Sequence, residues 1–154
     1  MVTYVGTDGN DNPGVNSDDF VLYGLNGDDV LESNYGVSGG FADVRMYGGE
    51  GDDYLNYIDT APRQAILSGD QGNDFLDTGN NDDHAYGGLG NDLMNGNGGG
   101  DTLLGEIGSD SISGGLGNDF IDGGTQLDRI FGDSGDDVIY GGDGSDSSAF
   151  TFTV

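Results

Sequence analysis

Nine aspartates stand nine residues apart along this chain: Asp74, Asp83, Asp92, Asp101, Asp110, Asp119, Asp128, Asp137 and Asp146. Carboxylates brought together by a fold either share a proton, as in acid catalysis, or gather a cation. Their neighbours repeat with them. From Gly69 to Ala149 the chain divides into nine units beginning at Gly69, Thr78, Gly87, Gly96, Gly105, Gly114, Gly123, Gly132 and Gly141. Position one is glycine in eight of the nine, position four in seven, and position six is aspartate in all. Chance would place nine aspartates in register with a probability on the order of 10⁻⁷, so composition does not explain the period. Position eight is aliphatic at Leu76, Ala85, Met94, Leu103, Ile112, Ile121, Ile130 and Ile139, and ends with Ser148.

The elements that must position these aspartates follow from the same units. Glycine at positions one and four permits positive φ, which predicts a tight turn with its carbonyls aimed at one point. The three residues after the aspartate predict a strand in which position eight faces inward and positions seven and nine outward. One turn and one strand per unit predict a flattened coil of two units, in which a residue stacks on its counterpart two units later. The register extends backwards with breaks. Units begin at Gly6, Val15 and Gly24, then at Gly39 and Gly48 after an insertion from Ser33 to Ser38, and at Thr60 after a second from Tyr57 to Asp59. Good and poor units alternate there: Asp11, Asp29 and Asp53 hold position six in the good ones, Phe20, Val44 and Ala65 in the others. Residues 1–68 are thus expected to form an irregular N-terminal part of one coil, residues 69–149 a regular array, and residues 150–154 a capping strand.

Stacked strands lie about 4.8 Å apart, so aspartates of alternate units form two columns at that spacing. Carboxylates so placed repel by roughly 3 kcal/mol at an effective dielectric near 20. Calcium suits the gap. It takes roughly six to eight oxygens at about 2.4 Å, so one ion between two turns reaches a carboxylate of each coil and several turn carbonyls. Magnesium's smaller octahedron and zinc's preference for nitrogen and sulfur fit an all-oxygen site less well.

Composition points the same way. Acidic residues outnumber Lys plus Arg by 29 to 3, the formal charge is −26, and 33 of 154 residues are glycine. Self-repulsion and backbone entropy keep such a chain expanded unless cations join it. With only Arg45, Arg63 and Arg129 to meet phosphates, the charge balance argues against nucleic acid and anionic membrane surfaces as partners. Cysteine is absent, which removes disulfides and thiolate sites. No stretch approaches transmembrane length, and Met1 to Asn10 lacks the basic start and apolar run of a cleaved leader.

Units such as Gly87-Gly88-Leu89-Gly90-Asn91-Asp92-Leu93-Met94-Asn95 and Gly114-Gly115-Leu116-Gly117-Asn118-Asp119-Phe120-Ile121-Asp122 closely resemble the haemolysin-type RTX nonapeptide, G-G-x-G-x-D-x-U-x. The resemblance is close over residues 69–149 and patchy over 6–68. It implies an all-β parallel β-roll, calcium between successive turns, and type I secretion to the cell surface or beyond. Carried over position by position, the ligand role falls on one column of Asp11, Asp29, Asp53, Asp74, Asp92, Asp110, Asp128 and Asp146. A second column holds Asp83, Asp101, Asp119 and Asp137. The turn carbonyls implied lie near Gly48, Gly49, Gly51, Gly69, Gly72, Gly87, Gly88, Gly90, Gly96 and Gly99, and, further on, near Gly105, Gly108, Gly114, Gly115, Gly117, Gly123, Gly132, Gly135, Gly141 and Gly144. If neighbours in a column share an ion, roughly ten calcium ions are accommodated. Gln126 at position four and Thr78 at position one depart from the pattern.

The expected function is structural calcium binding, with no enzymatic activity. The alternatives are an accessory module of an extracellular enzyme or toxin, and a calcium-dependent adhesive or self-assembling surface module. An acid catalytic cluster is disfavoured because every position-six aspartate is explained by its turn. His84, the only histidine, sits at an outward position beside Asp83 and builds no hydrolytic constellation. An ice-binding ladder would need repeated outward Thr or Asn. One outer face is unusually apolar: Tyr23, Tyr47, Ser68, Tyr86, Leu104, Asp122 and Tyr140 at position nine, with Val21, Ile66, Phe120 and Val138 at position seven. β-propensity alone selects aromatics there, and a contact for a protein or glycan is the sharper reading. The longer C-terminal secretion region of the family is missing, so the chain reads as a piece of a larger protein.

Overall fold

The computed structural model describes residues 2–12, 14–15, 20–34, 43–58 and 63–151. Among them all regular structure is β, and successive strands alternate between two parallel eight-stranded sheets. The first sheet holds β1 (Val2–Val5), β3 (Phe20–Asn26), β5 (Val44–Glu50), β7 (Ala65–Gln71), β9 (His84–Leu89), β11 (Thr102–Ile107), β13 (Phe120–Asp122) and β15 (Val138–Tyr140). The second holds β2 (Gly14–Val15), β4 (Val30–Asn34), β6 (Tyr54–Ile58), β8 (Phe75–Asp77), β10 (Leu93–Asn95), β12 (Ser111–Leu116), β14 (Arg129–Ser134) and β16 (Ser147–Thr151). Each sheet keeps chain order, so every coil is laid on the one before. This is the flattened coil that the unit spacing predicts and the parallel β-roll that the resemblance implies.

Registers follow the repeat. Ala85, Leu103, Ile121 and Ile139 stack in the first sheet, and Leu76, Met94, Ile112 and Ile130 in the second. Leu31 stands beside Leu55 and Leu55 beside Leu76, so the position-eight file crosses both insertions unbroken. Residues 35–38 of the first insertion and Asp59 of the second lie outside the described residues.

The core is this double file. Leu22, Leu31, Met46, Leu55, Leu67, Leu76, Met94, Leu103, Ile112, Ile121 and Ile130 are buried, and Ile139 is partly covered. Full burial of such a side chain stabilises by about 1.5 to 3 kcal/mol. Val44 and Ala65, which replace aspartate in the poor units, are buried in the same core, as is Tyr57 from the second insertion.

Two expectations need correction. Strands are not confined to three residues: β3, β5 and β7 run for seven, because pairing continues into the turn through positions such as Gly49 with Asp70. Nor does position one use positive φ. The left-handed residues stand at positions two and four, as with Gly88 (φ 110) and Gly90 (φ 136), or Gly115 (φ 106) and Gly117 (φ 129). Position two even places Asp70, Asn97, Glu106 and Asp133 in that region. At the C-terminus, Phe150 and Thr151 continue β16 beside β14 after a register shift at Phe131/Asp133. Residues 152–154 lie outside the described part. No helix among the described residues is long and apolar enough to cross a membrane.

Candidate metal centre

From Asp29 onwards every position-six aspartate closes a turn immediately before a strand, and the turns stack as the strands do. The backbone N–H of one aspartate donates to Oδ1 of the next in its column. In the long column Asp11 donates to Asp29 (2.6 Å), Asp29 to Asp53 (2.7 Å), Asp53 to Asp74 (2.7 Å), Asp74 to Asp92 (2.8 Å), Asp92 to Asp110 (2.8 Å), Asp110 to Asp128 (2.9 Å) and Asp128 to Asp146 (3.0 Å). In the short column Asp83 donates to Asp101 (2.8 Å), Asp101 to Asp119 (2.8 Å) and Asp119 to Asp137 (3.0 Å). One oxygen of each accepting carboxylate is thereby fixed by the neighbouring coil.

The other oxygen has no such partner. Oδ2 of Asp29, Asp53, Asp74, Asp83, Asp92, Asp101, Asp110, Asp119 and Asp128 is buried without a hydrogen bond. In every one of these units except that of Asp83, which begins at Thr78, it lies against the position-one glycine, and this explains that glycine. A Cβ on Gly87 would overlap Asp92 Oδ2 and stand 2.7 Å from the carbonyl oxygen of Gly105. One on Gly123 would stand 2.5 Å from Asp128 Oδ2 and 2.6 Å from the Gly141 oxygen. The absent side chain leaves room for a carboxylate oxygen and a carbonyl oxygen of the next coil to converge. Equivalent contacts recur at Gly24, Gly48, Gly69, Gly96, Gly105 and Gly114.

Burial dominates the electrostatics. It raises the Asp53 and Asp110 carboxyls to about 6, those of Asp74 and Asp83 to about 7, and that of Asp101 to about 8. The backbone donor to each opposes the shift without cancelling it, and neighbouring carboxylates add to it. Asp29, Asp92, Asp119 and Asp128 are displaced upward for the same leading reason. A group in this state wants either a proton or a cation. No cluster of three or more His, Cys, Asp or Glu side chains among the described residues would hold a metal on side chains alone. The available donor set is one carboxylate oxygen per turn plus backbone carbonyls, all hard oxygens, and that set fits calcium.

The column ends differ from its interior. Asp11 Oδ2 accepts from the Thr7 N–H (2.6 Å) and hydroxyl (3.0 Å), and its Oδ1 from the Tyr4 hydroxyl (3.2 Å). The Thr7 N–H leads in holding the Asp11 carboxyl below the usual range. Asp137 and Asp146, at the other end, are half-buried, with Oδ2 facing Gly132 and Gly141. At Thr78 the hydroxyl donates to the carbonyl of Gly96 (3.0 Å), the counterpart of the converging carbonyl elsewhere.

A second ladder escaped the sequence reading. Position-five side chains accept from the position-five N–H of the adjoining coil: Asp52 to Asp28 (3.1 Å), Asn73 to Asp52 (2.8 Å), Asn91 to Asn73 (2.9 Å) and Ser109 to Asn91 (2.9 Å). The signal was present as the recurrent Asn, Asp or Ser before the aspartate. On the outer face of the first sheet, Tyr23 and Tyr47 stack at 5.0 Å and Phe120 meets Tyr140 at 5.7 Å. His84 sits there between Ile66 and Thr102.

Comparison with curated proteins and with solved structures returns no match. The family model for the RTX calcium-binding nonapeptide repeat matches four times, over residues 37–57, 66–94, 95–127 and 127–147. These copies cover more than half of the chain and fall on the coils whose stacked turns carry the buried carboxylates from Asp53 to Asp128, so the chain belongs to the RTX calcium-binding nonapeptide repeat family.

Proposed function

We propose that this chain is a non-catalytic, structural calcium-binding module that folds as calcium fills its turns, in a secreted or cell-surface protein exported by type I secretion. The observation that carries this reading is the set of nine buried carboxylate oxygens without hydrogen-bond partners, aligned in two columns. An ionised carboxylate buried without a counter-charge costs several kcal/mol. Calcium, when bound, supplies that counter-charge and draws on the oxygen lone pairs.

The interior aspartates from Asp29 to Asp128 would hold ions through Oδ2, together with position-one carbonyls of the adjoining coil. Asp137 and Asp146 serve the open end, and Asp11, held by Thr7 and Tyr4, serves least. Roughly ten ions would offset most of a formal charge of −26. Two position-eight side chains per coil form a thin core, so ions bound only by the folded state shift the equilibrium by mass action. Low calcium inside the cell keeps the chain open for export, and higher calcium outside folds it. Circular dichroism and hydrodynamic radius, followed in chelator and through calcium and magnesium titrations, test this. A cooperative, calcium-selective compaction is expected. A compact β signal that survives complete calcium removal overturns the folding role, and an equal response to magnesium overturns the selectivity.

A further inference from the structure

Where the first sheet passes into its turns, a groove of about 590 Å³ opens on the outer surface and adjoins a second of about 400 Å³. Asp70 and Leu89 line both, so the two form one channel across the strands from β3 to β11. Its walls are of two kinds. The stacked Tyr23 and Tyr47 rings, Leu25, Leu89 and Ile107 give an apolar track, with Leu25 39% and Leu89 47% exposed. Asp8, Glu50, Asp70 and Glu106 give the charge, and no arginine or histidine lines either part.

Two of the acids stand where glycine is the less costly residue, with Asp70 Oδ1 accepting the Ser68 hydroxyl (2.9 Å). Asp70 (φ 71) and Glu106 (φ 72) occupy position two, the left-handed site that Gly49, Gly88 and Gly124 fill in other units of the same sheet. A side chain there carries a backbone cost that glycine avoids, and such cost concentrates at functional surfaces. Neither acid belongs to the aspartate columns.

We propose that this channel is a docking site for an extended basic peptide segment of a partner protein, in which arginine or lysine side chains alternate with aliphatic ones. Charge complementarity selects the occupant: the lining is wholly acidic where it is charged, so cations enter and anions are repelled. A guanidinium lies over the tyrosine faces while meeting Asp70 or Glu50, and the aliphatic residues cover Leu89 and Ile107. Strands about 4.8 Å apart give the channel a length of roughly 20 Å, which about six extended residues span. The site rests on the calcium-folded roll proposed above.

The test uses the full chain in saturating calcium at about 0.15 M salt, with circular dichroism on the same sample to report folding. An eight-residue peptide alternating Arg and Val is titrated by calorimetry, beside its Glu/Val counterpart and a neutral oligosaccharide. Asp70→Gly combined with Glu106→Gly restores the glycine of the repeat and leaves the roll intact, and Tyr47→Ser removes the stacking surface. The Arg/Val peptide is expected to bind, the Glu/Val peptide not to bind, and each variant to weaken binding about tenfold with an unchanged calcium midpoint. A folded roll that ignores the basic peptide, binds it equally after both changes, or takes the oligosaccharide in this channel instead overturns the proposal while leaving calcium folding standing. A chain that fails to fold in calcium at all overturns both.

Discussion

The two aspartate columns run through the same roll and begin differently. The long one extends from Asp11 to Asp146, whereas the short one starts at Asp83, and the positions before it hold the buried apolar Val44 and Ala65. Yet the backbone N–H of an apolar unit keeps its place in the ladder, since Ala65 still donates to Asp83 Oδ1 at 2.6 Å. Stacking of turns is therefore common to carboxylate and apolar units. What separates them is the carboxylate: beside Ala65, which has no Oδ1, the Val44 N–H donates to the Gln64 carbonyl instead (3.0 Å), and neither Val44 nor Ala65 brings the buried Oδ2 that an aspartate must satisfy. The demand for a cation is a property of one side chain per turn, superimposed on a coil that stacks by backbone geometry.

Breaking the shared part should have the largest effect and should be blind to the column. A Cβ on Gly108, in the long column, would fall inside the Gly90 carbonyl, and one on Gly117, in the short column, inside that of Gly99, both at positive φ. Gly108→Ala and Gly117→Ala should each lower stability by about 3 kcal/mol or more. Thermal melts in saturating calcium measure this, and a variant that melts like the parent contradicts the stacking.

Next in size comes the part that differs. Asp101→Asn removes a carboxylate whose burial raises it to about 8, while Asp11→Asn removes one already held by Thr7 and Tyr4. The first should raise the calcium midpoint of folding about tenfold, equivalent to about 1.4 kcal/mol, and the second should move it less than about twofold. Equal shifts would mean that column interior and column end are alike.

Protons should imitate the cation in chelator. Asp53, Asp74, Asp83, Asp101 and Asp110 have folded values of about 6 to 8 against an ordinary 3.8. A raised carboxyl stabilises the metal-free roll fully below its unfolded value and loses that contribution as pH rises through the folded one. Metal-free chain taken from pH 8 towards pH 5 should therefore regain β signal by circular dichroism, and loss of signal on acidification would reverse the sign. The smallest effect is a gain. Gln126 holds position four of the long column at φ 83, and Gln126→Gly should stabilise by about 1 kcal/mol in the same melts. No change would indicate that the Gln126 side chain compensates its backbone.

Much of this was legible from spacing. Position eight could be assigned to the core from Leu76 to Ile130 because a strand alternates its faces and the period never slips. The alternation of Asp29 and Asp53 with Val44 and Ala65 already separated the columns. Glycine was harder. A glycine is selected either for left-handed backbone or for the room its missing side chain leaves, and the letter is the same for both. Gly87 and Gly90 look equivalent in sequence, yet the first makes space for Asp92 Oδ2 and the second turns the chain. Position two, left-handed throughout the array, was masked because Asp70, Asn97, Glu106 and Asp133 stand there as well as glycine.

By itself, then, the sequence determined the coil of two units, the inward file of aliphatic side chains and the pairing of aspartates into columns, since all three follow from a fixed period acting on strand geometry. Only the tertiary structure decided which oxygen of each carboxylate is committed, which glycine makes room for the other, and that Asp11 is satisfied by Thr7 and Tyr4 where Asp92 is not. Those outcomes depend on where the N–H, Cα and carbonyl of another coil come to rest. That is a distance between residues far apart in the chain, and no unit of nine residues contains it.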